Sequence, residues 1–465
     1  MAEYLSRQEL ACLQDWYNSD NRKPMIIRGA RQVGKSTLVR QFAEKQGLRL
    51  VELNFERNPE YRQAFETNDP AQILSMLQLL TNHDLVGHGY LLFLDEIQVA
   101  PEAIAALRYF FEEKPELAVL AAGSLLEFTL KDTSFSMPVG RIQYMHMGPM
   151  QFADFLYALG EKALVGYLSD FNMQSIHKPD FTSVLHEKCM RLYRQFCVIG
   201  GMPEAIAQYA KNRAYTEVAK VHSSILTTYR DDFNKYSHGA RAVRVQLVFD
   251  RAAALVGKKF KYVQVSKDHR AAELRDALDQ LCLARVFSRV HHSSANGVPL
   301  GAEKKAALFK VLFMDVGLLS SVLNINELNL KEDGPNLVNR GAVAEQFVGQ
   351  HLLYSEKAYQ ALSLFYWVRE AKNAAAEVDY LQSIGQQVVP VEIKSGATGT
   401  LRSLHQFCFE KQSSLAIRFN SEPASFLDKV HASTGEGKAH YSLLSLPLYM
   451  VGQAKGLASE VLERI

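Results

Sequence analysis

A glycine-rich segment near the start of the chain has the spacing that binds nucleotide phosphates. Residues 29 to 36 read Gly-Ala-Arg-Gln-Val-Gly-Lys-Ser and match G-x-x-x-x-G-K-[ST] without a departure. The glycines permit backbone angles that turn successive N–H groups toward phosphate oxygens, Lys35 neutralises phosphate charge, and the Ser36 hydroxyl is a ligand for Mg²⁺. The pattern predicts a site for ATP and Mg²⁺ formed by Gly29, Ala30, Arg31, Gln32, Val33, Gly34, Lys35, Ser36 and Thr37.

A second acidic element is expected wherever such a loop hydrolyses its nucleotide. The apolar run from Tyr90 to Leu94 ends in Asp95 and Glu96. Taken alone, an apolar strand followed by two acids is equally well a solvated strand end. Behind a complete phosphate-binding loop, we expect Asp95 to order the Mg²⁺ shell and Glu96 to orient and polarise the attacking water. The sequence therefore predicts ATP hydrolysis and not binding alone.

Two carboxylates and a lysine recur near the C-terminus. Asp379 follows Glu377-Val378, and Glu392-x-Lys394 lies on the next strand-like run. Residues i and i+2 of a strand share a face, so Glu392 and Lys394 project together, and Asp379 from an adjacent strand would complete a site for Mg²⁺ or Mn²⁺. The alternative interpretation is a surface ion pair on an edge strand, because E-x-K is a common pattern.

A local excess of positive charge marks the middle of the chain, whose total net charge is only +2. The stretch 235–275 holds ten basic residues: Lys235, Arg241, Arg244, Arg251, Lys258, Lys259, Lys261, Lys267, Arg270 and Arg275. Three acidic residues oppose them: Asp250, Asp268 and Glu273. Such an excess is typical of contact with the phosphate backbone of DNA or RNA. The acids along Ala271 to Leu283 would repel nucleic acid, so a protein partner remains an open alternative.

Composition limits the class of protein. Of the 465 residues, 48% are hydrophobic and 22% charged, which is typical of a globular protein. The five cysteines are scattered without a C-x-x-C pair, which argues against a disulfide framework or a structural zinc site. The N-terminal residues lack the apolar core of a signal peptide, and no apolar run is long enough for a membrane span. We therefore expect a cytoplasmic protein without membrane contact.

The order of apolar runs and helical patterns predicts an α/β protein with several domains. We expect a P-loop NTPase parallel sheet, a helical lid, a winged helix and an α/β nuclease-like domain. The predicted ranges are 1–150, 151–232, 233–323 and 337–465, respectively. The winged helix rests on helices followed by two short strands, Val286 to Val290 and Lys310 to Met314.

Several motifs resemble those of AAA-type ATPases that carry a C-terminal DUF4143 domain, within the wider archaeal and STAND-like AAA group. The similar segments are GARQVGKSTL, LLFLDEIQ, Ala122 to Ser124, Pro138 to Arg141, Gly200 to Glu204, Phe313 to Leu319, Glu377 to Asp379 and Glu392 to Ser395. The resemblance implies that Ser124 senses the γ-phosphate and that Arg141 stabilises the transferring phosphoryl group, in cis or from a neighbouring subunit. Their alternatives are a helix N-cap for Ser124 and a surface salt bridge for Arg141.

The C-terminal carboxylates resemble the D…(D/E)-x-K pattern of the PD-(D/E)XK nuclease-like fold. This resemblance adds Glu345 as a further acid beside Asp379, Glu392 and Lys394. Val378 stands where the pattern has proline, and domains of this fold often bind without cutting. The leading hypothesis is an ATPase whose nucleotide cycle switches a winged-helix and nuclease-like module on or near nucleic acid, as a monomer or as an oligomer. The alternative is a nucleotide-switched regulator that binds another protein and cleaves nothing.

Overall fold

A computed structural model describes most of the chain in two compact units. The described residues are 5–83, 89–123, 126, 138, 140–177, 183–236, 239–325, 340–355, 357–370, 376–396 and 400–464, of which 234–236 are described by backbone alone. The first unit comprises residues 1–150 with 283–286 and 356–362, and the second comprises 151–282, 287–355 and 363–465.

The first unit is built on a parallel five-stranded sheet in the order β2-β3-β4-β1-β5. In chain order its elements are α1 (Glu9–Tyr17), β1 (Met25–Arg28), α2 (Lys35–Gln46), β2 (Arg49–Asn54), α3 (Pro70–Thr81), β3 (Tyr90–Asp95), α4 (Pro101–Glu113), β4 (Ala118–Gly123) and β5 (Gln143–His146). Strand β3 is buried from Leu91 to Asp95 because neighbours pair with it on both sides and helices cover the sheet. The predicted parallel α/β sheet is confirmed.

The second unit is mainly helical from residue 151 to residue 282. Its helices are α5 (Phe152–Ala158), α6 (Lys162–Ser169), α7 (Ser183–Ile199), α8 (Pro203–Asn212), α9 (Tyr215–Tyr236), α10 (Ala240–Ala252), α11 (Tyr262–Val265) and α12 (Ala271–Leu283). The amphipathic spacing of α7 buries Cys189, Leu192 and Phe196 on one face, which is why this stretch forms a helix. The prediction of a helical region after residue 150 is confirmed for the described residues.

An eight-stranded mixed sheet forms the rest of the second unit, in the order β12-β13-β11-β10-β9-β8-β6-β7. Its strands are β6 (Phe287–Ser293), β7 (Lys304–Phe313), β8 (Leu364–Val368), β9 (Glu377–Ile384), β10 (Gln387–Ile393), β11 (Leu415–Asn420), β12 (Ser425–Ser433) and β13 (Lys438–Pro447). The accompanying helices are α13 (Val316–Val322), α14 (Arg340–Leu353), α15 (Arg402–Lys411) and α16 (Ala454–Leu462). The nuclease-like topology stays a prediction.

The two strands predicted as a wing belong to this large sheet. Strands β6 and β7 pair as an antiparallel ribbon, and residues Val290 to His292 of β6 also pair in parallel with Leu364 to Tyr366 of β8. The boundary predicted at residue 323 therefore divides one continuous sheet, and the ribbon is an edge of that sheet and not a free-standing wing. The sequence did not reveal the pairing of β6 with β8, because pairing between strands about 70 residues apart leaves no local pattern.

A buried carboxylate joins two of the motifs that carry the family resemblance. Asp315 is fully buried, and it accepts backbone N–H bonds from Gly201 at 2.6 Å and from Gly317 and Leu318 at 3.0 Å each. A side chain at Gly200 would overlap the Asp315 carboxylate, so only glycine allows this approach. These motifs therefore fix the packing of α7, α8 and α13.

Among the described helices, none combines the length and apolar character that crossing a membrane requires.

Candidate nucleotide site

The phosphate-binding loop joins β1 to α2 and has the backbone angles that its glycines allow. Gly34 has a φ of 94° and Gln32 a φ of 62°, so the chain turns twice through the left-handed region. A Cβ on Gly29 would overlap the carbonyl oxygen of Met147, which lies after β5. Of the remaining loop residues, Ala30 and Val33 are buried, Arg31 is half-buried, and Thr37 is exposed on the first turn of α2.

Lys35 is buried within the loop that it is predicted to serve. Its Nζ donates to the carbonyl oxygens of Gly29 at 3.0 Å and Ala30 at 2.8 Å. Burial lowers the pKa of Lys35 to about 8, although the nearby Glu96 and Asp95 carboxylates oppose this shift. The ammonium therefore lies at the centre of the loop, where phosphate oxygens would replace carbonyls as its partners.

Ser36 and Asp95 meet at the C-terminal edge of the sheet. The Ser36 hydroxyl lies 3.1 Å from both Asp95 carboxylate oxygens, and Asn54 at the end of β2 donates to the same carboxylate at 3.3 Å. Burial, and then the charge of Glu96, raise the pKa of Asp95. Because a hydroxyl and a carboxylate are the hard oxygen donors that Mg²⁺ prefers, these residues fit the ion that accompanies ATP. Asn54 was not foreseen, since a lone asparagine carries no motif.

Glu96 adopts a backbone conformation that is rare for a residue with a side chain. Its φ is 53° and its ψ 43°, directly after the buried Asp95. Gln98 Nε2 donates to Glu96 Oε2 at 2.6 Å, and a Cβ at Gly123 on the end of β4 would overlap the Gln98 amide oxygen. Gln98 thus connects the predicted catalytic carboxylate to the neighbouring strand end. The sequence contains it in LDEIQ but gives no reason to select it.

Arg7 supports the loop from the N-terminal segment, and sequence reasoning missed it. Its guanidinium donates to the carbonyl oxygens of Val33 at 3.2 Å and Gly148 at 2.8 Å, and it pairs with Glu9 at 3.0 Å. The side chain is 5% exposed. A buried arginine of this kind holds two backbone segments together, here those of Val33 and Gly148, because its planar guanidinium group donates to both carbonyl oxygens.

The family resemblance assigned roles to Ser124 and Arg141, and the structure describes only the second of these residues. Ser124 lies outside the described residues. Arg141 Nε lies 2.8 Å from Glu112 Oε1, and its side chain is 44% exposed, in agreement with the surface salt bridge that was its alternative interpretation. Its proposed role toward phosphate stays a prediction.

The C-terminal carboxylates do lie together in the second unit. Asp379 Oδ2 accepts the Ile393 N–H at 2.8 Å, and Lys394 Nζ lies 2.6 Å from Glu392 Oε1. Burial, and then the charge of Asp379, raise the pKa of Glu392 to about 7. The spacing argument that placed these side chains together is thus consistent with the structure.

An additional cation, which the sequence did not reveal, occupies this cluster. Lys310 Nζ of β7 lies 2.9 Å from Glu345 Oε1, 2.5 Å from Glu377 Oε1 and 3.8 Å from Asp379 Oδ1. Within the described part of the chain, no group of three or more His, Cys, Asp and Glu side chains is arranged to hold a metal ion. The second Mg²⁺ or Mn²⁺ site predicted at Glu345, Asp379 and Glu392 therefore does not fit the residues present.

The basic stretch 235–275 is partly neutralised by its own surroundings. Arg241 pairs with Asp276 at 3.0 Å, and Arg244 pairs with Glu273 at 3.4 Å. The acids of α12 are thus engaged by arginines. Several exposed cations of this stretch form no ion pair within the described ranges, and five of them lie between residues 258 and 270: Lys258, Lys259, Lys261, Lys267 and Arg270. We refer to these five residues as the basic segment.

Three domain families match the chain. The AAA domain matches residues 21–156, the domain of unknown function DUF8612 matches 190–329, and the domain of unknown function DUF4143 matches 340–431. These matches support an AAA-type ATPase with a C-terminal DUF4143 domain, and thus nucleotide-dependent ATPase activity at a general level.

Two of the solved structures that match the chain illustrate a distant similarity. The Walker-type ATPase paby2304 of Pyrococcus abyssi is 13% identical over 69% of this chain and 96% of its own, with a TM-score of 0.42. The ORC2 protein of Aeropyrum pernix, solved with ADPNP and ADP, is 14% identical over 71% of this chain and 97% of its own, with a TM-score of 0.34. Scores this low carry no argument about function. No curated protein matches the chain.

Proposed function

We propose that this protein is a Mg²⁺-dependent ATPase whose site is formed by the phosphate-binding loop and the end of β3. The observation that carries the proposal is the contact of Ser36 with Asp95, because it places a hydroxyl and a carboxylate within 3.1 Å of each other, directly beside the loop lysine and Glu96. This is the donor set that holds Mg²⁺ on the β- and γ-phosphates.

Each residue has one proposed role. Lys35 exchanges its carbonyl partners for phosphate oxygens, and the loop N–H groups hold the rest of the phosphate chain. Ser36 and Asp95 would hold Mg²⁺, which neutralises charge on the phosphates during transfer. Glu96 accepts a proton from the attacking water, and Gln98 holds Glu96 in place. Ser124 and Arg141 keep their predicted roles as γ-phosphate sensor and charge stabiliser.

Phosphate release and nucleotide binding, measured on the same preparations, test the proposal. We expect Lys35→Ala to abolish ATP binding and Asp95→Ala to abolish Mg²⁺-dependent phosphate release. Lys45→Ala changes an exposed lysine near the other end of α2 and serves as the matched control. Release that is independent of Mg²⁺, or unchanged in Asp95→Ala, would contradict the proposal.

We further propose that the second unit contacts nucleic acid through the basic segment. The supporting observation is that these five cations are exposed and form no ion pair among the described residues, whereas Arg241 and Arg244 of α10 are paired. Unpaired surface cations gain free energy by releasing the counterions of a phosphate backbone. No preference for sequence follows from this arrangement.

Salt dependence of binding distinguishes this proposal from its alternative. Changing Lys258, Lys259 and Lys261 to glutamine should weaken DNA or RNA binding and reduce the slope of log affinity against log salt by about two to three. The control changes Lys211, Lys429 and Lys438, which are also exposed in the second unit. An unchanged slope would favour the alternative, a nucleotide-switched regulator that binds another protein.

A switch requires that nucleotide alter the second unit. The affinity for nucleic acid should therefore differ between protein saturated with ATP, in the Glu96→Gln background, and protein saturated with ADP. Equal affinities would remove the switch from the proposal while leaving the ATPase intact. Chain stoichiometry by light scattering in each state tests the predicted oligomer.

A further inference from the structure

The carboxylate cluster of the second unit contains a buried lysine in its centre. Lys310 is 1% exposed, and its Nζ contacts Glu345, Glu377 and Asp379, which come from α14 and from the start of β9. Three acidic side chains from two separate elements thus converge on one ammonium group. Glu392 of the adjacent β10 lies in the same electrostatic environment, since Lys310 influences its ionisation.

The position of this ammonium is the position that a divalent cation would need. Mg²⁺ and Mn²⁺ bind where carboxylate oxygens converge, at about 2.0 to 2.2 Å from each ligand. Here Glu345 Oε1 and Asp379 Oδ1 both face Lys310 Nζ, at 2.9 and 3.8 Å. A metal between these oxygens would overlap the ammonium and carry a like charge.

Lys310 cannot easily leave the cluster. It lies within β7, where the strand register places it opposite Val290 of β6, and both Phe309 and Val311 beside it are buried. Its ammonium also lies 5.3 Å from the centre of the Tyr366 ring, a distance at which cations are attracted to aromatic faces. The lysine is thus fixed by the sheet and not by a mobile loop.

The backbone closes the other side of Glu345. Gly257 has a φ of 76°, and a Cβ placed on it would lie 2.8 Å from Glu345 Oε2. The Glu345 side chain is 12% exposed, so little room remains beside the ammonium for a metal with its water ligands. The carboxylate therefore directs one oxygen to the lysine and packs the other against backbone.

We propose that Lys310 takes the place of the divalent cation in this cluster, so that Glu345, Glu377 and Asp379 form a fixed ion-pair network with it and bind no metal. The network joins β7, β9 and α14, and it gives the C-terminal region a structural role. Metal-dependent cleavage of phosphodiesters at Asp379, Glu392 and Lys394 is not expected from this protein. The proposal is independent of the ATPase site.

Binding of Mn²⁺, followed by electron paramagnetic resonance on the full chain without nucleotide, tests this assignment. All proteins carry Asp95→Ala, which removes the carboxylate predicted to hold Mg²⁺ at the phosphate-binding loop. We expect the parent and its Asp379→Ala variant to bind the same amount of Mn²⁺. Binding by the parent that is lost on Asp379→Ala would overturn the proposal, and this comparison requires no change at Lys310.

Removal of the lysine provides the complementary result. Lys310→Ala should gain about one Mn²⁺ per chain, and a second change, Asp379→Ala, should abolish the gain. Mn²⁺ should also raise the midpoint of thermal unfolding of Lys310→Ala and leave that of the parent unchanged. Lys310→Met keeps the hydrocarbon stem and replaces Lys310→Ala if that variant does not fold. A folded Lys310 variant that gains no Mn²⁺ would show that the lysine does not occupy a metal position.

Discussion

Replacement of Arg7 by methionine should selectively destabilise the first unit. The change keeps most of the hydrocarbon stem but removes the donors to Val33 and Gly148, whose carbonyl oxygens lie beside a side chain only 5% exposed. Hydrogen bonds from a charged donor contribute about 1.5 to 3 kcal/mol each, so removal of two of them should lower the free energy of unfolding by about 3 to 6 kcal/mol. Arg62→Met is the control, because its pair with Glu102 is 47% exposed on the arginine side and should contribute about 0 to 1 kcal/mol.

The two tryptophans make this measurement specific to one unit. Trp16 lies in α1 of the first unit, is 4% exposed and donates from Nε1 to the Lys23 carbonyl oxygen at 2.7 Å, whereas Trp367 lies in β8 of the second unit. In a Trp367→Phe background, urea unfolding followed by tryptophan fluorescence reports the first unit alone. The reasoning would be refuted if Arg7→Met and Arg62→Met lowered the free energy of unfolding of the first unit by amounts that agree within about 1 kcal/mol.

Three further predictions use the same structure. Gly29→Ala should abolish or greatly weaken ATP binding, measured by calorimetry, because the added Cβ would overlap the Met147 carbonyl oxygen and displace the loop. Gly166→Ala is the control, because its added Cβ would meet no atom within 4 Å. Asp315→Ala should lower the free energy of unfolding of the second unit, measured in urea, by about 3 to 5 kcal/mol, because three buried N–H groups lose their acceptor. A decrease in this free energy of less than about 1 kcal/mol would contradict the prediction. Because the pKa of Lys35 is about 8, its charge is lost as the pH rises through that value. The dissociation constant for ATP should therefore increase about tenfold per pH unit above it. Lys35→Met should bind ATP weakly, with a dissociation constant that does not change with pH over the same range.

The nucleotide site was the part that local sequence could specify. Residues 29 to 36 are contiguous, and the run ending in Asp95 is a buried strand whose neighbours in a parallel sheet present their carboxyl ends at one edge. That topology brings Ser36 and Asp95 together, although 59 residues separate them. Arg7, Asn54 and Gln98 were not found because each acts through contacts with backbone or single side chains that leave no spacing rule.

In the second unit, the sequence pattern predicted part of the sheet but neither its full extent nor its buried lysine. The sequence predicted strands around Asp379 and Glu392, which are β9 and β10. The sheet continues through β8 to β6 and β7, and the sequence assigned these last two strands to a separate domain. Lys310 lies in an apolar run between Phe309 and Val311, where a charged residue ordinarily marks a strand end facing solvent. Its three acidic partners lie at least 35 residues away along the chain, so only the folded sheet reveals that the predicted metal site already contains a cation.

Single-turnover analysis of Glu96→Gln tests the central claim most directly. The variant keeps the phosphate-binding loop and Asp95 but exchanges the carboxylate that is proposed to accept a proton from water. We predict that it binds ATP with Mg²⁺ as tightly as the parent and releases phosphate on the order of 10² to 10⁴ times more slowly, so that ATP is recovered intact from the complex. Phosphate release at the parental rate, with ADP recovered from the variant, would contradict the assignment of this site as an ATPase centred on Glu96.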